Sequence, residues 1–198
     1  MHIGVLAVQG DFACHCRQLE LLGARPAEVR LPEELDGLDG LIIPGGESTT
    51  MCMLIDRFHL RRPLLEFGKS KPVWGTCAGM IMLAKKVVDN QAGIEPLGLL
   101  DIDIVRTGYG RQVSSFEEKL PVDFGSEQVI LSASFIRAPR VTRCGPEVSS
   151  LAALKGDPVL LAESRALVSS FHTELDDDTT LLEYFLTHFV GDAKTADS

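Results

Sequence analysis

Gly75-Thr76-Cys77-Ala78-Gly79 is the stretch of this chain best suited to covalent chemistry. It follows the apolar pair Val73-Trp74 and opens a run of good helix formers. This is the layout of a nucleophile elbow, with cysteine in place of serine. In such an elbow the nucleophile sits on a tight, strained turn, and small neighbours let strand and helix close on each other. A helix N-terminus also favours thiolate over thiol. A buried cysteine between two turn glycines would fit the pentapeptide as well, so the assignment depends on partners elsewhere.

A thiol nucleophile needs a base. The histidines are His2, His15, His59, His172 and His188. His172 follows a strand-like run and is followed by Thr173-Glu174. In extended chain, residues two apart share a face. Glu174 could then orient His172, giving Cys77, His172 and Glu174 the roles of nucleophile, base and orienter. The third requirement is a place for an oxyanion. Pro44-Gly45-Gly46-Glu47-Ser48 ends an earlier strand, and adjacent glycines let backbone N–H groups turn toward a ligand. Elbow hydrolases use the N–H after the nucleophile plus one from an earlier strand–helix loop. Ala78 and Gly46 fit those two jobs.

Other chemistries find less support. No phosphate-binding Gly-x-x-x-x-Gly-Lys-Ser/Thr loop occurs, and Gly108-Tyr109-Gly110 lacks the third glycine of a dinucleotide fingerprint. Cys14-His15-Cys16 falls in an expected helix, where residues two apart point to different faces, and no second ligand pair follows at zinc spacing. No metal site is expected. Met51, Met53, Met80 and Met82 read as packing residues, and Asp176-Asp177-Asp178 as a solvated turn with helix N-terminal charge.

The elements that must carry these groups alternate. Strands are expected at 3–8, 27–31, 40–44 and 73–75, and helices at 11–22, from Ser48 or Thr49 to 58, at 62–69 and at 78–86. Phe12, Cys16, Leu19 and Leu22 mark the apolar stripe of the first helix. After about residue 89 the pattern turns to strands, at 99–106, 128–136, 159–162 and 166–170, before a last amphipathic helix at 179–190. The expected fold is α/β in three layers: a mostly parallel central sheet, helices on both faces, and added antiparallel strands. One domain over 1–198 is expected, with residues 191–198 a frayed tail.

Composition sets outer limits. The chain has 198 residues, 45% of them apolar and 24% charged, and a formal net charge of −9. An acidic chain without a basic stretch is a poor binder of nucleic acid or anionic membrane. No apolar run approaches the roughly 20 residues of a membrane span. The N-terminal apolar run lacks a basic flank and ends in Gln9, Gly10 and Asp11, unlike a signal peptide. Five scattered cysteines argue against a disulfide framework. A cytoplasmic location is the expectation.

The elbow and the late His-x-Glu resemble those of class I glutamine amidotransferases of the triad type, whose fold is flavodoxin-like. Within that class the chain is similar to the glutaminase subunits of pyridoxal phosphate synthases. The segments that carry the similarity are IGVLAVQGDF, GLIIPGGEST, WGTCAGMIMLAK, GRQVSSFE, FIRAPRV and SFHTEL, in order along nearly the whole chain. The resemblance implies that Cys77 forms a glutamyl thioester, that His172 is base and acid, and that Glu174 orients it. It implies that Gly45, Gly46, Glu47, Arg106, Ile136 and Arg137 contact L-glutamine. An arginine fork suits the substrate carboxylate, although the residues alone do not distinguish Arg106 or Arg137 from Arg111. It implies a synthase subunit as ammonia acceptor in a large hetero-oligomer, and no cofactor, since pyridoxal phosphate is the product. Two positions depart from the family's pattern. Thr173 stands where proline is usual, and Thr107-Gly108 where asparagine commonly follows the arginine. The triad itself leaves open a glutaminase of another pathway, such as histidine or purine synthesis, and a silent binding protein on the same fold.

Overall fold

A computed structural model describes residues 1–106, 108, 115–125, 127–176 and 178–193. Thr107, Tyr109, Gly110, Arg111, Asp177 and the stretch 194–198 of the expected tail lie outside the described residues. The first half alternates as the sequence implies: β1 (His2–Leu6), α1 (Phe12–Leu21), β2 (Arg25–Val29), β3 (Gly40–Ile43), α2 (Ser48–Arg57), α3 (Arg61–Ser70), β4 (Val73–Thr76) and α4 (Ala78–Leu83). A 3-10 turn, Pro32–Leu35, precedes β3. The second half holds β5 (Ala84–Val87), β6 (Leu100–Val105), β7 (Phe116–Asp123), β8 (Gln128–Phe135), β9 (Arg140–Cys144), β10 (Ser149–Leu154), β11 (Asp157–Glu163), β12 (Ala166–Ser169) and α5 (Thr180–Tyr184). α5 runs on into a π-helical turn, Phe185–Gly191.

Seven strands form the central sheet in the order β10-β11-β12-β4-β3-β1-β2. The pairs from β12 to β2 are parallel, while β11 and β10 add antiparallel edges. The inner parallel strands β1, β3, β4 and β12 are short and mostly apolar because both faces are covered. On β4, Val73 joins the core under α2, α3 and α4, and its neighbour Trp74 joins the opposite core with α1 and α5. Leu41 and Ile42 on β3, and Val168 and Leu167 on β12, divide the same way. The strand period of two thus feeds two separate layers of packing. Among the described residues no helix is long and apolar enough to cross a membrane.

Four expectations need correction. The helix expected at 78–86 stops at Leu83, and Ala84–Val87 is strand β5, paired in parallel with β6. Its outer positions are buried and its two lysines exposed, with a register shift between Ala84 and Lys86 that breaks the strand alternation. β12 is not an added antiparallel strand but a parallel one in the middle of the sheet, beside β4. The cap of α2 is neither Ser48 nor Thr49. Glu47 reaches forward and accepts from the backbone N–H of Thr49 and Thr50. Met53 is 66% exposed, whereas Met51, Met80 and Met82 are buried.

Candidate active site

The site lies beyond the carboxyl ends of β1, β3, β4 and β12, where open parallel sheets gather their functional groups. Cys77 ends β4 and precedes α4 with φ +48° and ψ −99°, a strained conformation for a residue with a side chain. Two ties hold it there. Its N–H donates to the Ser169 carbonyl at 2.8 Å, and its carbonyl accepts from Ile81 N at 3.2 Å. The elbow glycines are needed for space: a Cβ on Gly79 would lie 2.0 Å from the Ile43 carbonyl oxygen, and one on Gly75 2.6 Å from the Gly79 carbonyl. The thiol faces the Ile136 carbonyl at 3.9 Å.

His172 leaves β12 through Ser170 and Phe171 and pairs its backbone with Ser134 of β8, at 2.9 and 3.1 Å. Its Nδ1 hydrogen-bonds Glu174 Oε1 at 2.6 Å, and the ring lines the same cavity as Cys77 and interacts with it electrostatically. With Nδ1 given to the carboxylate, Nε2 is the nitrogen left to the thiol. Thr173 N–H donates to the other oxygen, Glu174 Oε2, at 3.0 Å. A proline at 173 would have no such proton to give. Burial disfavours the imidazolium, but the interactions with Cys77 and Glu174 outweigh it and hold the His172 pKa up at about 10. Desolvation likewise pushes the Glu174 carboxyl up, yet His15 and His172 bring it below its ordinary value.

A cavity of about 230 Å³ opens in front of Cys77 and His172, lined also by Asp11, Gly46, Glu47, Arg106, Ile136 and Arg137. Clefts for drug-sized ligands run from roughly 300 Å³ upward, so this one suits a small metabolite. Glu47 and Arg106 face each other at 3.5 Å, which puts a carboxylate and a guanidinium at the mouth. Although desolvation opposes ionisation, hydrogen bonds from Thr50 and Thr49 hold Glu47 at a pKa of about 2. Arg137 adopts φ +48° in the loop after β8. The Gly45 carbonyl accepts from Asp11 N at 3.3 Å, and Glu47 N–H donates to Gln9 Oε1 at 2.9 Å. Ala78 is the first residue of α4, so its N–H has no carbonyl within the helix. The structure thus gathers Cys77, His172, Glu174, Gly45, Gly46, Glu47, Ala78, Arg106, Ile136 and Arg137 around one cleft.

The sequence reading missed two members of the surroundings. The stripe of α1 that is fully buried is His15, Gln18 and Leu19, with Phe12 and Cys16 only partly covered. His15 Nε2 lies 3.6 Å from Glu174 Oε1 and 3.5 Å from Thr76 Oγ1, and its ring stands edge-on to Trp74. Burial dominates over Glu174 and lowers its pKa. Gln18 Nε2 meets the backbone carbonyls of the segment after His172. Two polar residues three apart on the helix stripe that also carries Leu19 are the hint the sequence holds, and it does not name their partners. Among the described residues no group of three or more His, Cys, Asp or Glu could hold a metal ion.

Comparison with known proteins gives concordant results. The model of the SNO glutamine amidotransferase family matches residues 5–191. A Pyridoxal 5'-phosphate synthase subunit PdxT of Thermosipho africanus is 50% identical over 187 residues, 94% of this chain and 97% of that one. A PdxT of Geobacillus kaustophilus is 46% identical over 200 residues, covering 100% of this chain and 99% of that one. A solved structure described as a glutamine amidotransferase superposes with a TM-score of 0.88 at 42% identity, over 96% of this chain and 98% of that chain.

Proposed function

The chain belongs to the SNO glutamine amidotransferase family, and from that premise we propose that it hydrolyses L-glutamine and hands the ammonia to a pyridoxal 5'-phosphate synthase subunit. The observation that carries the reading is that Cys77 and His172 share the foot of a small charged cleft, with His172 hydrogen-bonded to Glu174 behind it.

In this reading the Cys77 sulfur attacks the side-chain amide carbon of glutamine. The carbonyl oxygen becomes an oxyanion facing the N–H groups of Gly46 and Ala78, where losing one donor typically costs about 10²–10³ in rate. His172, protonated and backed by Glu174, gives its proton to the leaving nitrogen, and ammonia departs with the C–N bond broken. The product is a glutamyl thioester on Cys77. His172 then takes a proton from water, whose oxygen attacks the thioester carbon, and glutamate leaves as the thiolate returns. Arg106 and Arg137 supply forks for the substrate α-carboxylate, and Glu47, with Gly45, Gly46 and Ile136, the wall that meets its α-amino end. Glu47 already caps α2 and faces Arg106, so substrate shares a carboxylate that is held ionised.

The relatives named as synthase subunits support the choice of acceptor. In this reading the whole of 1–198 is one glutaminase domain in the cytoplasm. It works within a large hetero-oligomer and needs no cofactor of its own. Docking raises its turnover, with the Gly45–Gly46 peptide as the moving part: its carbonyl is held by one long hydrogen bond from Asp11, and glycine lets the peptide turn at low steric cost.

The test is ammonia release from glutamine by the wild type and by Cys77→Ala, with and without synthase. The wild type is expected to release ammonia faster as synthase is added, and Cys77→Ala to release none. Substantial activity in purified Cys77→Ala would overturn the nucleophile. Equal wild-type turnover at every synthase concentration, with binding verified separately, would overturn the activation.

A further inference from the structure

We propose that Gln18 is a positioning residue for the hydrolysis, a clamp from α1 that holds the segment after His172 so that Glu174 stays beneath the imidazole. This rests on the reading of Cys77, His172 and Glu174 given above.

Gln18 is 4% exposed, and its side chain crosses to a part of the chain more than 150 residues away. Its Nε2 donates to the Thr173 carbonyl at 3.1 Å and the Asp176 carbonyl at 3.2 Å, and the Asp178 carbonyl stands at 3.5 Å. Three acceptors around one nitrogen fix the orientation of the amide, because the opposite placement would set an oxygen among carbonyls. Its Oε1 meets no donor among the described residues.

The segment needs such a hold. β12 ends at Ser169, and past the single backbone pairing of His172 with Ser134 the described residues run without strand or helix until Thr180. Carbonyls of irregular backbone require donors, and Gln18 provides them on both sides of Glu174, at Thr173, whose carbonyl also meets Asp176 N at 3.5 Å, and at Asp176. No proline stiffens the chain between His172 and Glu174. Thr173 leaves φ free, and in exchange its N–H binds Glu174 Oε2. A clamp from outside replaces a restraint from within. One turn earlier on the same helix, His15 Nε2 approaches Glu174 Oε1 at 3.6 Å. α1 therefore reaches both the backbone around Glu174 and its carboxylate.

The groups that face His172 are Cys77 from the β4–α4 elbow, Glu174 from its own segment and His15 from α1. The charged side chains of its cavity are Asp11, Glu47, Arg106 and Arg137. Among the described residues Gln18 hydrogen-bonds none of these side chains, so a change at 18 acts on His172 through the backbone of Thr173 and the placement of Glu174.

The experiment uses the full chain with synthase present, and compares wild type with Gln18→Met, which keeps length but loses the donor, and Gln18→Asn, which keeps the amide but loses reach. Glutamine turnover is followed from pH 6 to 10, with thermal melting alongside. The expected result is a kcat lowered roughly tenfold by the displaced triad, with KM within about twofold. Because Glu174 sustains the protonated His172, the basic limb of the pH profile moves down by about one unit. A merely structural role would lower the melting temperature and leave that limb in place. Should Gln18→Met fail to fold, Gln18→Asn decides. A folded variant with kcat within about twofold of wild type and an unmoved basic limb overturns the proposal. A wild type without glutaminase activity overturns the reading of the site, and the clamp falls with it.

Discussion

Gly45 packs against the Cε1 edge of the His172 ring: a Cβ at position 45 would lie 2.3 Å from the imidazole Cε1 and 3.1 Å from Nδ1. Hydrogen in place of a side chain is therefore what lets the loop after β3 close against the ring that Glu174 holds. Gly45→Ala is expected to displace the imidazole and lower kcat for glutamine by about 10²-fold, since misplacement by about 1 Å carries that penalty. Steady-state ammonia release checks it, and wild-type turnover in a folded Gly45→Ala would show that the ring has room to spare.

Cys77 provides a test of stored strain. Its φ of +48° suits glycine better than any residue with a Cβ. Both Cys77→Ala and Cys77→Gly are expected to be inactive, but the glycine variant should unfold at higher denaturant concentration, by about 1 kcal/mol over alanine. Chemical denaturation of the pair measures the difference. An alanine variant as stable as the glycine variant would mean that the elbow relaxes once the sulfur is gone.

Glu174→Gln keeps the shape of the side chain and removes its charge. The Nδ1 proton of His172 loses its carboxylate, and an amide can present either end to it. A drop in kcat of about 10²–10⁴-fold is expected, by analogy with the orienting acid of serine hydrolases. The basic limb of the pH profile should also fall below that of the wild type, because Glu174 is one of the groups that raise His172 to about 10. A pH–rate series on the variant reads both effects.

The two buried histidines pull stability in opposite directions with pH. His172 is raised in the fold, so its contribution is fully present below the unfolded value of about 6.5 and is lost as pH rises toward about 10. His15 is lowered, so its unfolded form takes up a proton first, and stability declines as pH falls below about 6.5. Melting curves from pH 5 to 10 should show a maximum near neutrality. His172→Gln should flatten the alkaline side and His15→Phe the acid side. An alkaline slope unchanged in His172→Gln would remove that residue from the linkage.

How much of this was legible in the sequence follows from where information is local. Strands β1, β3 and β4 are short apolar runs ended by glycine-rich loops, and the elbow carries its chemistry within five residues. β7, β9 and β10 were not foreseen because FEEKLPVD, RVTRC and SSLAAL are partly exposed and mostly polar or small, and β7 even carries Pro121. The end of α4 was missed because nothing in Ala84-Lys85-Lys86 opposes a helix; the pairing of β5 with β6 decides it. That β12 lies parallel beside β4 is equally a tertiary fact. His172 and Glu174 were readable as an i, i+2 pair, but His15 and Gln18 were not, since their partners are some 155 residues away and a polar residue on a helix defaults to solvent.

The central position of β12 bears on the order in which the molecule comes into being. β12 fills the slot between β4 and β11, and the Ser169 carbonyl at its end receives the Cys77 N–H. A nascent chain that has emerged only as far as β10 already possesses the cysteine, yet β4 is then an open edge, the elbow lacks that anchor, and histidine and glutamate have not been synthesised. Catalytic competence therefore arrives late in translation, when a strand from the far end of the chain inserts into a sheet begun by the first. Such long-range closure is slow compared with helix formation, and until it happens the unpaired edge of β4 is the surface on which two unfinished chains would pair.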